Sequence, residues 1–498
     1  MTLRDRMDSF DLLIVGGGIN GTAIARDAAG RGLKVLLVEK DDLASHTSAA
    51  SSKLIHGGLR YLEQYEFKLV RESLKERQVL LATAPHIVRP LEFVLPDPPG
   101  GRPWWMIRLG LLFYDFLSRG DELPRSKGLG RKDHPFRAPL KPGRFRLGTY
   151  WDAWVDDARL VVLNAVDAHE KGAEIATRTA LVSARRDGDA WEATLAGGRT
   201  VRATMLVNAA GPWVAEVLNQ RLETEAGSRV RLIRGSHILV PRLYQGEQAY
   251  ILQNEDGRIV FVLPYGDRNL IGTTDVPVDT PGDAVCTEAE IAYLCAAANA
   301  YFTIQVSPAE ISWSYAGIRA LFDDGASKAK DVTRDYRLEL DDTPGPKLLS
   351  VFGGKITTAR HLAAEALEKL GIGGFKFTRT QPLPGGDIDI AFNAALIPLA
   401  LWMPEEMVVR LARAYGTRVA HLVGNAVHIR DMGRHFGADL YEREVRYLID
   451  TEFAKTAEDI LWRRTKLGLQ LTAREAKDLA AWMEKQGGER LSKPRSRG

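Results

Sequence analysis

Cysteine is nearly absent: 498 residues contain two, Cys286 and Cys295. Two thiols are too few for a disulfide framework, and their spacing suits neither a zinc site, an iron–sulfur cluster nor a CxxC redox pair. A reducing, cytosolic setting is therefore expected. Long apolar runs are missing too. No stretch approaches the roughly 20 apolar residues that span a bilayer, and the first ten residues carry charge where a signal peptide has its apolar core. The chain is expected to be neither exported nor threaded through a membrane. Charge of one sign is also scarce, since 67 Lys and Arg against 64 Asp and Glu leave +3. That balance gives no reason to expect nucleic acid, so any preference for anions or lipid must come from local clusters. There is no internal repeat. What is present, 45% apolar and 26% charged residues, is the composition of an ordinary globular protein with room for two or three domains.

The strongest local pattern lies at the start. Asp11-Leu12-Leu13-Ile14-Val15 is a short apolar run that stops at glycines, Ile19 to Gly32 is a small-residue helical stretch, and Lys34 to Glu39 is a second strand. Gly16, Gly18 and Gly21 form GxGxxG at the mouth of the helix, with Glu39 ending the second strand. Glycine lets the backbone turn tightly against a pyrophosphate, the helix N-terminus supplies unpaired N–H groups, and a carboxylate accepts hydrogen bonds from a ribose diol. The unit predicts a dinucleotide; FAD or NAD is open at this point. Thr47, Ser48, Ser51, Ser52 and Lys53 then crowd a segment that ends in Leu54-Ile55-His56-Gly57-Gly58-Leu59-Arg60-Tyr61. Such hydroxyls and glycine N–H groups suit a second wrap around a flavin nucleotide. Met205 to Trp213, an apolar strand running into Gly211, reads as another cofactor-facing turn.

Elsewhere the text predicts an exposed helix over 67–84 and strands at 180–185, 190–195, 230–240, 249–252, 259–264 and 270–272, the strands forming one inserted antiparallel sheet. Val351 to Leu370 reads as strand, glycine turn and helix. After Leu383-Pro384-Gly385-Gly386, the charged, leucine-rich stretch from Phe392 to Gln486 reads as a helical domain.

Several segments together resemble the FAD-dependent glycerol-3-phosphate dehydrogenases, within the wider group that includes D-amino acid and glycine oxidases. The residues that carry the likeness are GGGINGTAIARDAAGRG from Gly16, SSKLIHGGLRYLE from Ser51, WVDDARL from Trp154, IRGSHILVP from Ile233, ILQNEDGRIVFVLP from Ile251, IGTTDV from Ile271 and VFGGKITTAR from Val351. The resemblance implies an α/β fold: a Rossmann-like FAD-binding domain over 1–386, with inserted segments near 67–150 and 225–335 that build an antiparallel substrate domain, and a helical C-terminal domain over 387–498. FAD would be held by Gly16, Gly18, Gly21, Glu39, Thr47, Ser48, Ser51, Ser52, Lys53, His56, Gly57, Gly211, Gly354, Lys355 and Thr357. Arg60, Tyr61, Arg334 and Lys355 would bind substrate, and His237 and Arg319 would be catalytic; no metal is implied. The family often has proline after the arginine of its GxRPL stretch, whereas Gly317-Ile318-Arg319-Ala320-Leu321 has alanine.

The implied reaction oxidises sn-glycerol 3-phosphate by hydride transfer to the flavin while a base takes the hydroxyl proton. His237 suits the base because imidazole titrates near neutrality. Guanidinium forks match phosphate oxygens, and phosphate binding far from the reacting carbon fixes that carbon against the flavin. With no second nucleotide fingerprint and no cysteine set, the electron acceptor is expected to be a membrane quinone or oxygen. Trp104 to Arg119, read as a helix, puts Asp115 and Arg119 within about 20° of the line through Arg108 and leaves a wide apolar face. With the basic run Arg125, Lys127, Arg131, Lys132, Arg137 and Lys141, that face suits a helix lying on an anionic membrane. The favoured expectation is a quinone-linked dehydrogenase held peripherally at the inner face of the cell membrane, with a homodimer allowed. A soluble oxygen-using oxidase, an amino acid oxidase and a non-catalytic flavoprotein are the competing readings.

Overall fold

The computed structural model describes residues 7–97, 103–129, 134–142, 146–222, 230–322 and 336–492; the side chains of residues 60, 63, 64 and 487–492 also lie outside that description. The apolar runs dictate the first layer. Strand Asp8–Val15 is buried at every position from Leu12 onward, as required of a central strand covered on both faces. It lies between two parallel neighbours, Val35–Val38 and Thr200–Asn208. Glu174–Ala176 and Lys347–Phe352 extend the parallel sheet on either side, and Arg337–Asp341 closes one edge in the antiparallel sense.

On one face pack three helices, Ile19–Gly30, Asp157–Glu170 and Ala359–Lys369. The alanines at 23, 25, 28 and 29 let the first of these sit close to its neighbours in a continuous core with Ile14, Leu37, Val162 and Leu362. Each fully buried aliphatic side chain contributes roughly 1.5–3 kcal/mol. The other face carries the hairpin Leu181–Asp187 and Ala190–Leu195, pinned by the buried Trp191. These two strands were expected in the inserted sheet. Ala190–Leu195 instead pairs with the first half of Thr200–Asn208 and Leu181–Asp187 with Ala190–Leu195, because their alternating pattern supplies a cover for this face.

The second sheet has ten strands. Its long element is Val230–Pro241, paired antiparallel with Trp313–Phe322 on one side and with Arg268–Gly272 and Val276–Val278 on the other. Ile259–Tyr265, Ala249–Gln253, Val88–Pro96 and Leu147–Val155 continue it, and the short strands Leu54–Ile55 and Lys127–Leu129 pair with Leu147–Val155. All pairings in this sheet are antiparallel except that between Ala249–Gln253 and Val88–Pro96. Helix Phe67–Thr83 was expected to be exposed. Its inner side is buried, Arg77 included, since that guanidinium is paired with Asp152 and Asp121 beneath the sheet.

Helix Trp104–Leu117 has two apolar sides. Ile107, Leu111 and Tyr114 are buried against the sheet. Trp105, Leu109, Leu112 and Phe116 stay more than half exposed, at 66%, 59%, 54% and 58%. The C-terminal part forms its own core around Met407, Leu411, Tyr415, Val445, Leu448 and Ile460, on helices Glu405–Tyr415 and Glu442–Thr451, whose charged and apolar residues separate cleanly onto opposite sides.

Candidate active site

Four parallel strands deliver their carboxyl ends to one cavity of about 520 Å³, the position where open α/β sheets bind ligands. Val15 and Gly16, Val38 and Glu39, Ala209 and Gly211, and Gly353 and Gly354 line it, each pair standing at or just past the end of a different strand. Close approach explains two of the glycines. A Cβ on Gly16 would lie 2.4 Å from the Ala209 carbonyl oxygen, and one on Gly21 would lie 1.9 Å from that of Gly16. Both contacts are what let the helix start hard against the sheet. The N-cap residue of Ile19–Gly30, Gly18, has no side chain to cap it, and no acid stands in the first turn, so its N-terminal dipole suits a pyrophosphate.

Glu39 accepts hydrogen bonds from the Gly17 N–H at 2.6 Å and the Asp41 N–H at 2.8 Å. Burial raises its pKa above the ordinary carboxyl value, and the two N–H bonds oppose the rise. Glu39, Asp41 and His46 also place three ligand-type atoms within 4.8 Å of one another; the backbone bonds to Glu39 and the 2.7 Å contact between His46 Nε2 and Asp41 account for the grouping. Ser48 Oγ accepts from the Ile19 N–H at 3.0 Å, tying the hydroxyl-rich segment to the helix mouth. Thr47 donates to the Ile318 carbonyl at 2.6 Å, joining the same segment to the second sheet. Asn20 donates to the Gly353 carbonyl at 3.0 Å, while its Oδ1 is buried at the cavity without a hydrogen-bond partner. An unmet buried acceptor beside a glycine cradle fits a flavin nucleotide carrying N–H and O–H donors.

The opposite wall comes from the second sheet. Ile233, Gly235 and His237 alternate along their strand toward the cavity, and Leu232, Ser236 and Ile238 point away from it. His237 stacks on Tyr315, its cross-strand partner, at 4.8 Å and 13°, and its Nε2 lies 2.9 Å from Ser52 Oγ. Burial holds its pKa well below the ordinary value, and the positive charges of Lys53 and Arg319 push the same way. These causes favour the uncharged ring, the form in which an imidazole nitrogen can accept a proton. Arg319 donates to Asp275 at 2.7 Å and to the Thr274 carbonyl at 3.1 Å. Lys355 places its ammonium 3.8 Å from the centre of the Tyr61 ring, and both residues line the cavity.

A model of the FAD dependent oxidoreductase family matches residues 11–365, and one of the C-terminal domain of alpha-glycerophosphate oxidase matches 376–488. The chain belongs to the FAD-dependent oxidoreductase family. Within it, the chain is similar to a D-erythritol 1-phosphate dehydrogenase of Brucella abortus (strain 2308), 48% identical over 96% of this chain and 98% of the relative. It is 51% identical to a glycerol-3-phosphate dehydrogenase of Pseudomonas aeruginosa, over 95% of each chain. The glycerol-3-phosphate dehydrogenase of Bacillus halodurans, solved in complex with FAD, superposes with a TM-score of 0.76 at 26% identity, covering 96% of this chain and 91% of that one. FAD is the cofactor of this oxidoreductase, and bound in the cavity it supplies the two-electron acceptor.

Among the residues expected from sequence, Gly16, Gly18, Glu39, Thr47, Ser48, Ser51, Ser52, His56, Gly211, Gly354, Lys355, Thr357, Tyr61, His237 and Arg319 all line the cavity. Three expected cofactor residues do not. Gly21 lies beneath Gly16 and serves helix packing. Lys53 is buried behind the wall, where its ammonium is 2.6 Å from Asp157, which also accepts from the Ser51 hydroxyl at 2.7 Å. Gly57 donates backward to the Tyr114 hydroxyl at 2.9 Å. In each case the motif spacing is right, but the chain turns the group to the far side. The Arg60 side chain and all of Arg334 lie outside the described residues.

Sequence reasoning missed Asn20 and Asp275 at the cavity and Tyr315 and Gly272 around His237, and it named Trp213 only as the end of a cofactor-facing turn. Asn20 sits inside the fingerprint as one of its variable positions. The IGTTDV segment gave a signal for Gly272 and Asp275, although not for which atoms they touch. A Cβ on Gly272 would lie 2.0 Å from His237 Cδ2, so the cross-strand partner of this histidine must be glycine.

Proposed function

We propose that this FAD-dependent oxidoreductase converts sn-glycerol 3-phosphate to dihydroxyacetone phosphate and passes the electrons to a membrane quinone. The observation that carries the reading is a buried His237 sharing one cavity with the cations Arg319 and Lys355. His237 takes the proton of the carbinol hydroxyl, and the hydrogen on the carbinol carbon leaves as the hydride that FAD, when bound, would accept. Arg319 and Lys355 clamp the phosphate, and Tyr61 sets the direction of the Lys355 ammonium. Gly353, Gly354, Ile356 and Thr357 line the cavity ahead of Ala359–Lys369, and backbone N–H groups of this turn would stabilise negative charge on the reduced ring. The names and identities of the relatives support the phosphorylated polyol; an amino acid substrate needs one carboxylate anchor and not a set of cations.

The exposed apolar side of Trp104–Leu117 supports attachment to a membrane surface, with Arg125, Lys127 and Lys141 exposed nearby. Arg131 and Lys132 of the same basic run lie outside the described residues. Among the described residues no helix is long and apolar enough to cross a bilayer. The test is anaerobic: glycerol 3-phosphate should bleach the flavin's visible absorbance, and a water-soluble quinone should restore it. Bleaching by an amino acid and not by glycerol 3-phosphate would overturn the substrate. Rapid peroxide formation without quinone reduction would overturn the acceptor. D-Erythritol 1-phosphate belongs in the same assay, and a higher kcat/KM for it would move the assignment to the four-carbon substrate.

A further inference from the structure

Among the described residues, the helical C-terminal part contributes no lining residue to the cavity, yet one of its segments grips both stretches that wall one end of it. The first is the loop after Glu39. Asp42, three residues on, is buried and accepts from Arg463 Nε at 2.6 Å and from Arg464 Nη1 and Nη2 at 2.6 and 2.9 Å. The same loop contains Lys40, Ala44, His46 and Ser48 of the cavity wall. The second is the turn after Glu174–Ala176. Arg178 donates to both oxygens of Asp459, at 2.8 and 2.9 Å, and Lys455 donates to the Thr177 carbonyl at 3.1 Å. This turn is bonded to the loop as well, through the Arg178 N–H to Asp41 and the Thr179 N–H to Glu39, both 2.7 Å. Arg463 closes the circuit by also donating to Asp459 at 2.6 Å.

Four charged side chains, Asp42, Asp459, Arg463 and Arg464, are therefore removed from water at a junction more than 400 residues apart in sequence. Burying that many charges is costly unless each is paired in good geometry, and here the pairing holds only while the loop keeps its shape. Stability of the C-terminal segment and shape of the Glu39–Ser48 wall are one event.

We propose that the segment Lys455–Arg464 is a brace for FAD, with Arg463 and Arg464 as positioning residues that act through Asp42 on the Glu39 end of the cavity. It controls how tightly the cofactor is kept, and does not touch cofactor or substrate. By linkage the effect must be mutual: if the brace favours bound FAD, bound FAD must favour the brace.

Two measurements test this. In the purified holoenzyme, Arg463→Gln leaves Arg464 on Asp42 but loosens the circuit; FAD should leave about tenfold faster on dilution, read as rising flavin fluorescence, and Arg463→Lys should restore most of the retention. Arg410→Gln breaks a comparable ion cluster with Asp439 and Glu444 inside the C-terminal core; it should lower the unfolding temperature and leave the release rate unchanged. In the wild-type full-length chain, adding FAD to apoprotein should slow amide hydrogen exchange across 455–464 as well as 40–48, which keeps the test decisive if Arg463→Gln does not fold. Unchanged exchange in 455–464 would overturn the proposal. So would a release rate for Arg463→Gln within twofold of wild type, or equal acceleration by Arg410→Gln.

Discussion

Gly272 offers the sharpest perturbation of the proposed chemistry, because it makes no contact of its own with the cavity yet fixes where His237 sits. A methyl group there would start 2.0 Å from Cδ2 and 2.6 Å from Nε2 of the imidazole, whereas such contacts are rarely closer than 3.4 Å. Neither partner can yield cheaply. His237 is stacked on Tyr315 and held at Ser52, and both strands lie inside the ten-stranded sheet. Gly272→Ala must therefore displace the ring by about an ångström. A misplacement of that size costs about 100-fold in rate, or about 2.7 kcal/mol of barrier. The assay is steady-state oxidation of glycerol 3-phosphate with a soluble dye as acceptor, with FAD content measured from the visible spectrum. Full flavin loading with kcat down about 100-fold is expected. If the loss acts through His237, the double variant Gly272→Ala/His237→Ala should be no slower than His237→Ala alone. A kcat within threefold of wild type at full flavin loading would refute the placement of the base, and additive losses would refute the coupling.

Three further outcomes are expected. Glu39→Gln turns an amide N–H toward either the Gly17 or the Asp41 N–H, so FAD affinity should fall by roughly 10- to 100-fold, the worth of one charge-assisted hydrogen bond; flavin titration of the apoprotein measures it. His86 is held down to about 3 by burial first and the nearby Arg159 charge second. The unfolded chain therefore binds the extra proton first, and stability present above pH 6.5 is lost as pH falls toward 3. Urea unfolding at pH 7 and pH 5 should show wild type losing about 2 kcal/mol more than His86→Gln, from 1.36 kcal/mol per pH unit. Trp105→Glu with Phe116→Glu alters the exposed side of Trp104–Leu117 and no buried residue; co-sedimentation with anionic vesicles should drop at least tenfold while dye-linked activity in solution persists, and retained sedimentation would remove this helix from the membrane reading.

The amino-acid sequence by itself determined what depends on short-range pattern. Alternation and apolar runs located the central strands of the first sheet and part of the second, though not Val88–Pro96, Leu147–Val155 or Trp313–Phe322, and the glycine spacing from Gly16 to Gly21 with Glu39 after it located the dinucleotide turn, because a tight turn, a helix start and a strand end are properties of about 30 consecutive residues. The same pattern was silent on direction and partner. It placed Leu181–Asp187 and Ala190–Leu195 in the wrong sheet, since an alternating strand fits any half-covered edge that needs one. It assigned Lys53 and Gly57 to the cofactor, since a motif names residues and not the side of the wall on which the backbone turns them. It could not foresee that Arg463 and Arg464 meet Asp42, or that Gly272 must be glycine for His237 to fit. Those facts follow from strand register and domain contact, where residues far apart in sequence become neighbours and burial decides which charges must pair.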